Sequence, residues 1–285
     1  MNYDLRGLSY HALVEGDPAQ ERTAVLLHGF AGSSEDWDTL VPVLRNLGLA
    51  VVAPDLPGHG SSGLPESPSR YSIHEVVRDL DELMCALGIE NAVWVGYSMG
   101  GRIALHMALA HPDRVRSLVL ESSGPGIADP EARRERRRSD EALASRIEER
   151  GIGWFVDYWS SLPLFETQWE LPLEARTALR LRRERNRPQA LADTLRGMGQ
   201  GAHDDLSGRL PDLHCRMLVI AGERDPKYVE VARRAADAAP NSTCLIVPGV
   251  GHTVHLEAPD VFAQALAVHC IVTEGAHPAA APVGP

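Results

Sequence analysis

Short apolar runs alternate along this chain with longer stretches in which apolar residues recur at helical spacing. The runs at 23–27, 49–53, 92–95, 116–120, 217–221 and 243–247 predict β-strands. Segments 35–47, 72–87, 101–110, 229–239 and 258–270 predict helices. Regular alternation of this kind is the pattern of an α/β fold, a mostly parallel sheet with helices on both faces. Residues 3–15, ahead of the first of these strands, predict an antiparallel hairpin on one sheet edge.

The rhythm fails between 125 and 205. No strand pattern appears there. Asp129-Pro130 places an N-cap residue before a proline at the first helical position, which opens a charged helix. Further helical patterns run over 152–159, 173–184 and 189–198. The segment is expected to be an α-helical lid inserted into the sheet fold. The chain then divides into a first core part (1–124), the lid (125–205), a second core part (206–272) and an Ala/Pro/Gly-rich tail (273–285) whose composition predicts disorder. No internal repeat is present.

Gly96-Tyr97-Ser98-Met99-Gly100 stands between a predicted strand and a predicted helix. That is the context of a nucleophile elbow, a turn so sharp that Gly96 and Gly100 have no room for Cβ atoms. A serine hydroxyl reacts only when another group takes its proton. Asp225 follows the strand at 217–221 and His252 follows the strand at 243–247. Both sit at carboxyl ends of strands, where open α/β sheets build their sites. The order Ser98, Asp225, His252 is the α/β-hydrolase order. Two backbone N–H groups are needed for an oxyanion hole. Met99, next to Ser98, and Phe30, in Leu27-His28-Gly29-Phe30, are the candidates.

Competing assignments follow from the same residues. Asp225 precedes Pro226 and is also a helix N-cap candidate. His255 rivals His252 but lacks a preceding glycine. His28 is expected to shape the oxyanion loop. The segment from Asp55 to Ser62 reads as a supporting loop, with His59 a weak alternative base.

Composition narrows the class. A chain of 285 residues, 44% hydrophobic, can bury one large α/β core with an insertion. No run approaches the roughly 20 apolar residues of a membrane span. The first fifteen residues are charged and lack an apolar signal core. A cytoplasmic protein without membrane insertion is expected. Cys85, Cys215, Cys244 and Cys270 show no metal-ligand spacing and read as core thiols in a reducing compartment. A net charge of −11 argues against nucleic acid as partner. The charge is uneven, however. Residues 125–205 hold 14 Arg against 15 Asp and Glu, whereas the rest holds 13 Arg and the single lysine, Lys227, against 24 acids.

From about 10 to 270 the chain resembles the α/β-hydrolase superfamily. Within it, Leu27-His28-Gly29-Phe30, Asp55-Leu56-Pro57-Gly58-His59-Gly60, Gly96-Tyr97-Ser98-Met99-Gly100-Gly101-Arg102 and Gly222-Glu223-Arg224-Asp225 resemble the 2-succinyl-6-hydroxy-2,4-cyclohexadiene-1-carboxylate synthases of menaquinone biosynthesis. The lid motifs Ser123-Gly124-Pro125-Gly126, 133–140, 154–159, Pro163-Leu164-Phe165 and Leu195-Arg196-Gly197-Met198-Gly199 carry the same resemblance. The resemblance implies elimination of pyruvate without hydrolysis. Ser98, His252 and Asp225 would abstract a proton beside a carbonyl, and the oxyanion hole would hold an enolate.

That substrate bears three carboxylates, and guanidinium groups would offset their desolvation. Arg102 lies one helical turn beyond Ser98. Arg136 shares a helical stripe with Leu143 and Ile147, whereas Arg133, Arg134, Arg137 and Arg138 face solvent or acids. Arg183 follows Leu179 by four residues, with Arg182 and Arg185 as close rivals. Tyr97 and Trp159 are expected to line the pocket. A small anionic substrate is the expected partner, and no metal or organic cofactor is called for. Nothing in the sequence speaks to oligomeric state. The alternatives are a carboxylesterase or carbon–carbon bond hydrolase with Ser98 as nucleophile, and a non-enzymatic receptor on the same fold.

Overall fold

The six apolar runs become adjacent strands in a computed structural model, which describes residues 1–274 and their side chains through Cys270. In chain order the strands are β1 (Asn2–Leu5), β2 (Leu8–Glu15), β3 (Arg22–Leu27), β4 (Leu49–Pro54), β5 (Ala92–Tyr97), β6 (Val115–Glu121), β7 (Arg216–Gly222) and β8 (Ser242–Val247). They form one sheet in the order β1-β2-β4-β3-β5-β6-β7-β8. The β1–β2 hairpin joins β4 antiparallel at one edge, and every pairing from β4 onward is parallel. The helices are α1 (Val41–Asn46), α2 (Ile73–Ala86), α3 (Met99–Ala110), α4 (Pro130–Ser160), α5 (Leu173–Glu184), α6 (Pro188–Met198), α7 (Pro226–Ala238), α8 (Val254–Glu257) and α9 (Pro259–Glu274).

Side chains alternate across each strand, so the sheet feeds two cores. Trp94, Leu118 and Val219 join Leu80 of α2, Ile103 of α3 and Ala232 of α7. Val93, Val95, Val119 and Ile220 join Leu44 of α1 and Phe262 and Leu266 of α9. Trp94 is fully buried and its indole N–H donates to the Arg114 carbonyl at 3.0 Å. Burying a large apolar side chain of this kind is worth about 2–3 kcal/mol.

Several helix boundaries differ from the periodicity. The stretch 35–47 is not one helix but a 3₁₀ turn (Ser34–Trp37) followed by α1. Pro42 explains the break: it has no N–H to donate back and its ring crowds the preceding turn. Pro259 likewise opens α9 as a new helix after the single turn of α8. Helix α9 continues to Glu274, beyond the expected 270. The rest of the Ala/Pro/Gly-rich tail, 275–285, lies outside the described residues.

Helices α4, α5 and α6 and the 3₁₀ segment Pro163–Glu170 lie between β6 and β7. Helix α4 breaks at Gly151, where φ is 77°. Ile147, Phe155, Leu191 and Leu195 form a third apolar cluster of their own, which also takes in Ala31 from the loop after β3. The insertion therefore rests on the loop that carries Phe30. Of the four free cysteines only Cys270 is buried. Cys85 and Cys244 are exposed, against the core-thiol expectation, since one faces out from α2 and the other from edge strand β8. No helix among the described residues is long and apolar enough to cross a membrane.

Candidate active site

Central strand β5 delivers Ser98 at its carboxyl end, in the turn to α3. Ser98 has φ 49° and ψ −105°, a conformation most L-residues avoid. The glycines around it permit the turn. A Cβ at Gly96 would lie 2.4 Å from the Gly100 carbonyl oxygen, and one at Gly100 would lie 2.1 Å from the Leu27 carbonyl oxygen. The Ser98 N–H donates to Glu121 O at 2.9 Å, and Ser123 Oγ donates to Ser98 O at 2.8 Å, which fixes the elbow against β6.

Asp225 and His252, at the ends of β7 and β8, converge on it. His252 Nε2 lies 3.3 Å from Ser98 Oγ, and His252 Nδ1 lies 2.6 Å from Asp225 Oδ2. His252 and Asp225 are 2% and 4% exposed, so their contact is shielded from water. Asp225 also accepts from the Tyr228 N–H at 3.3 Å, so it caps α7 and orients the imidazole at once. The Phe30 and Met99 N–H groups donate to nothing among the described residues. Both residues line the cavity at Ser98, and unspent donors there suit an oxyanion.

The rival histidines are occupied elsewhere. Both Glu121 oxygens lie within 2.9 Å of His255 Nδ1, in a buried pair. His28 Nδ1 lies 2.7 Å from the Gly29 carbonyl oxygen, and its Nε2 accepts from the Leu56 N–H at 3.0 Å. That bridge ties the β3 loop to the β4 loop. Burial, and then His28, push His59 down to about 3. Asp55 accepts from the Ser34 and Ser61 N–H groups at 2.7 and 2.8 Å, bracing the same loops.

A cavity of about 120 Å³ opens at Ser98. Tyr97 and Trp159 line it, together with Arg102 and Arg136. Arg102 is 8% exposed, donates to the Met198 carbonyl at 3.0 Å, and has no carboxylate partner among the described residues. Burial lowers its pKa. Arg136 is half-buried, paired with Asp140 at 2.7 Å, and donates to Gln200 Oε1 at 2.7 Å. Its stripe partners Leu143 and Ile147 do turn inward. Arg134 and Arg138 pair with Glu131 outside.

With that geometry in place, the likeness to known proteins has a basis. The α/β-hydrolase fold family matches residues 25–259. A Bacillus subtilis (strain 168) protein provisionally named 2-succinyl-6-hydroxy-2,4-cyclohexadiene-1-carboxylate synthase is 39% identical over 90% of this chain and 93% of its own. The chain belongs to that synthase family. The synthase of Pectobacterium atrosepticum is 32% identical over 84% of this chain and 90% of its own. The structure of MenH from S. aureus superposes with a TM-score of 0.88 at 32% identity, covering 93% of this chain and 99% of that one.

In this member of the synthase family Arg183 lines a small cavity of about 30 Å³ that adjoins the Ser98 cavity and shares Phe30, Tyr97, Trp159 and Phe165 with it. Arg183 is 7% exposed and donates to Ser160 Oγ and Gln168 Oε1, each at 3.0 Å, with its guanidinium 5.3 Å from the Phe165 ring. Phe165 and Trp159 thus form a wall between the Ser98 cavity and the adjoining one at Arg183. Its rivals are held at the surface of the β3 loop, Arg182 on the Glu35 carbonyl and Asp36, and Arg185 on the Glu35 carboxylate. Sequence reasoning missed Lys227, Tyr228 and Gln200, which also line the cavity. Gln200 Oε1 lies 3.5 Å from Lys227 Nζ, and its amide donates to the Tyr228 hydroxyl at 3.2 Å. The one available signal was the position of the only lysine, two residues after Asp225.

Proposed function

We propose that this protein is a lyase that removes pyruvate from 2-succinyl-5-enolpyruvyl-6-hydroxy-3-cyclohexene-1-carboxylate, giving 2-succinyl-6-hydroxy-2,4-cyclohexadiene-1-carboxylate in menaquinone biosynthesis. Membership of the synthase family supports it. The observation that carries it is the charge around Ser98: Arg102, Arg136 and Lys227 line one small cavity, and neither Arg102 nor Lys227 has a carboxylate partner among the described residues. An acyl pocket for simple esters has no use for three cations. A tricarboxylate does.

The change from a 3-ene to a 2,4-diene defines the chemistry. The proton on C2, beside the succinyl carbonyl, is lost. Its electrons form the C2–C3 double bond, the ring double bond moves to C4–C5, and the C5–O bond breaks. His252 draws the Ser98 hydroxyl proton, so Ser98 Oγ removes the C2 proton as a base. The Phe30 and Met99 N–H groups hold the enolate oxygen. Asp225 keeps Nδ1 of His252 protonated and supports the imidazolium. The Nε2 proton of the His252 imidazolium, taken from Ser98, then passes to the oxygen of the departing enolpyruvate, and the free enol ketonises to pyruvate. Tyr97 and Trp159 pack on the ring, and residues 125–205 act as the lid.

Ser98→Ala tests the assignment. Loss of a positioned base lowers turnover by about 100-fold or more, with the KM little changed. Turnover within threefold of wild type, roughly 0.6 kcal/mol in barrier, removes Ser98 from the reaction.

A further inference from the structure

His252 stands on a loop that does little to fix it. Gly249 and Gly251 come just before it, and Gly249 has φ 70°. Glycine leaves the backbone wide freedom, so the imidazole needs holding from outside. Its position has no slack. Nε2 already lies 3.3 Å from Ser98 Oγ, near the outer limit of a hydrogen bond.

Glu257 supplies the hold. Its Oε2 accepts the Gly251 N–H at 2.7 Å, and its Oε1 accepts the Thr253 N–H at 3.0 Å. One carboxylate thus takes the main-chain donors on both sides of His252. A helix cap alone does not account for this. Thr253 precedes the single turn of α8, and a glutamate reaching back to the N–H at a helix start is a common capping contact. Capping uses one oxygen. The second oxygen reaches past His252 to a residue outside the helix. Among side chains of this length only a carboxylate presents two acceptors and no donor; a glutamine would turn its NH₂ toward an N–H.

The same loop is tied to the nucleophile. The His255 N–H donates to Glu121 Oε1 at 2.9 Å, and the Glu121 carbonyl accepts the Ser98 N–H at 2.9 Å. The N–H groups of Gly251, Thr253 and His255 therefore all end on two glutamates, one of which also holds the elbow. Glu257 itself lines no part of the Ser98 cavity.

We infer that Glu257 is a positioning residue for the reaction. It holds His252 at the distance and angle at which Nε2 draws the Ser98 proton, where a misplacement of about 1 Å costs about 100-fold in rate. Its effect on turnover presupposes the relay proposed above; its hold on His252 does not.

Proton NMR of the intact protein and steady-state kinetics test the two separately. The proton between His252 Nδ1 and Asp225 Oδ2, 2.6 Å apart, is expected to give a low-field resonance that is missing from Asp225→Asn. In Glu257→Gln that resonance is expected to move upfield, and kcat for pyruvate release to fall about tenfold or more with the KM within about twofold. Glu257→Asp keeps the charge but is too short to span both donors, and the same losses are expected. Glu223→Gln alters the acceptor of the Gly249 N–H, at 2.9 Å on the same loop, and is expected to leave both readings near wild type. Absence of the resonance from wild type, or an unmoved resonance in Glu257→Gln, overturns the inference. So does a wild-type kcat in Glu257→Asp, which would make charge rather than placement the cause, or a loss in Glu223→Gln as large as that in Glu257→Gln. A moved resonance in a protein inactive on the enolpyruvyl substrate upholds the hold on His252 and removes the proposed function instead.

Discussion

Ser98 occupies a backbone conformation that costs about 1–3 kcal/mol, and its neighbours keep it there. Gly96 and Gly100 cannot accept a Cβ, and the strand behind them is fully buried. Strain of that kind exposes the hydroxyl to His252 and leaves the Met99 N–H unspent. Charge at single residues then selects the chemistry. Lys227 is exposed at the cavity mouth, yet burial of its end, followed by the repulsion of Arg136, lowers its pKa. Its ammonium is the third cation at the Ser98 cavity, and the proposed substrate carries three carboxylates. Lys227→Met is expected to raise the KM for the enolpyruvyl substrate by about tenfold with little change in kcat, and Lys227→Arg to restore most of it. A KM for Lys227→Met equal to that of wild type would return this residue to the solvent.

At the scale of elements, Gly151 deserves a test because it divides α4. Its φ of 77° with ψ of −179° is open to glycine alone, and a Cβ there would touch nothing within 4 Å. Gly151→Ala therefore isolates conformational strain from clash. It is expected to lower stability by about 1–3 kcal/mol in urea unfolding; a loss below about 0.5 kcal/mol would show that α4 does not need the break. The sheet was legible because its strands are unbroken apolar runs, and because Ser98, Asp225 and His252 each follow such a run directly. Helix ends were less legible: Pro42 acts through steric and hydrogen-bond effects that apolar periodicity does not register. Arg136 was readable from its stripe with Ile147. Lys227, Gln200 and Tyr228 were not, because they meet only when α6 and α7 are brought together over the sheet. Helical spacing placed Arg183 on an inward face but could not show that it packs on Phe165 in a cavity adjoining that of Ser98.

The molecule as a whole buries several histidines in the neutral form. Burial, and then His203 and His74, push His106 down to about 3. Burial, and then Arg102, push His203 to about 4. Burial sets His59 at about 3 and His269 at about 4. Unfolded histidine takes up a proton near pH 6.5. These folded values are lower, so the unfolded state binds more protons between pH 6.5 and about 4. Stability from these groups is complete above pH 6.5 and falls as the pH drops through that window, by about 1 kcal/mol for each histidine at pH 5.5. Urea midpoints at pH 7.5, 6.5 and 5.5 read this directly; a midpoint that holds constant to pH 5.5 would contradict it.

The same whole-molecule charge pattern, an acidic surface around a cationic cavity on a Ser-His-Asp relay, supports elimination over hydrolysis. Pyruvate release alone does not separate the two, because hydrolysis of the enol ether also frees pyruvate while leaving a hydroxyl on ring carbon 5. The mass of the ring product does. Elimination gives the 2,4-diene, lighter by one water than the hydrolysis product, together with one equivalent of pyruvate. Mass spectrometry of the wild-type reaction is expected to show the diene as the ring product. A ring product that retains the C5 hydroxyl would mean that Ser98 serves a hydrolase.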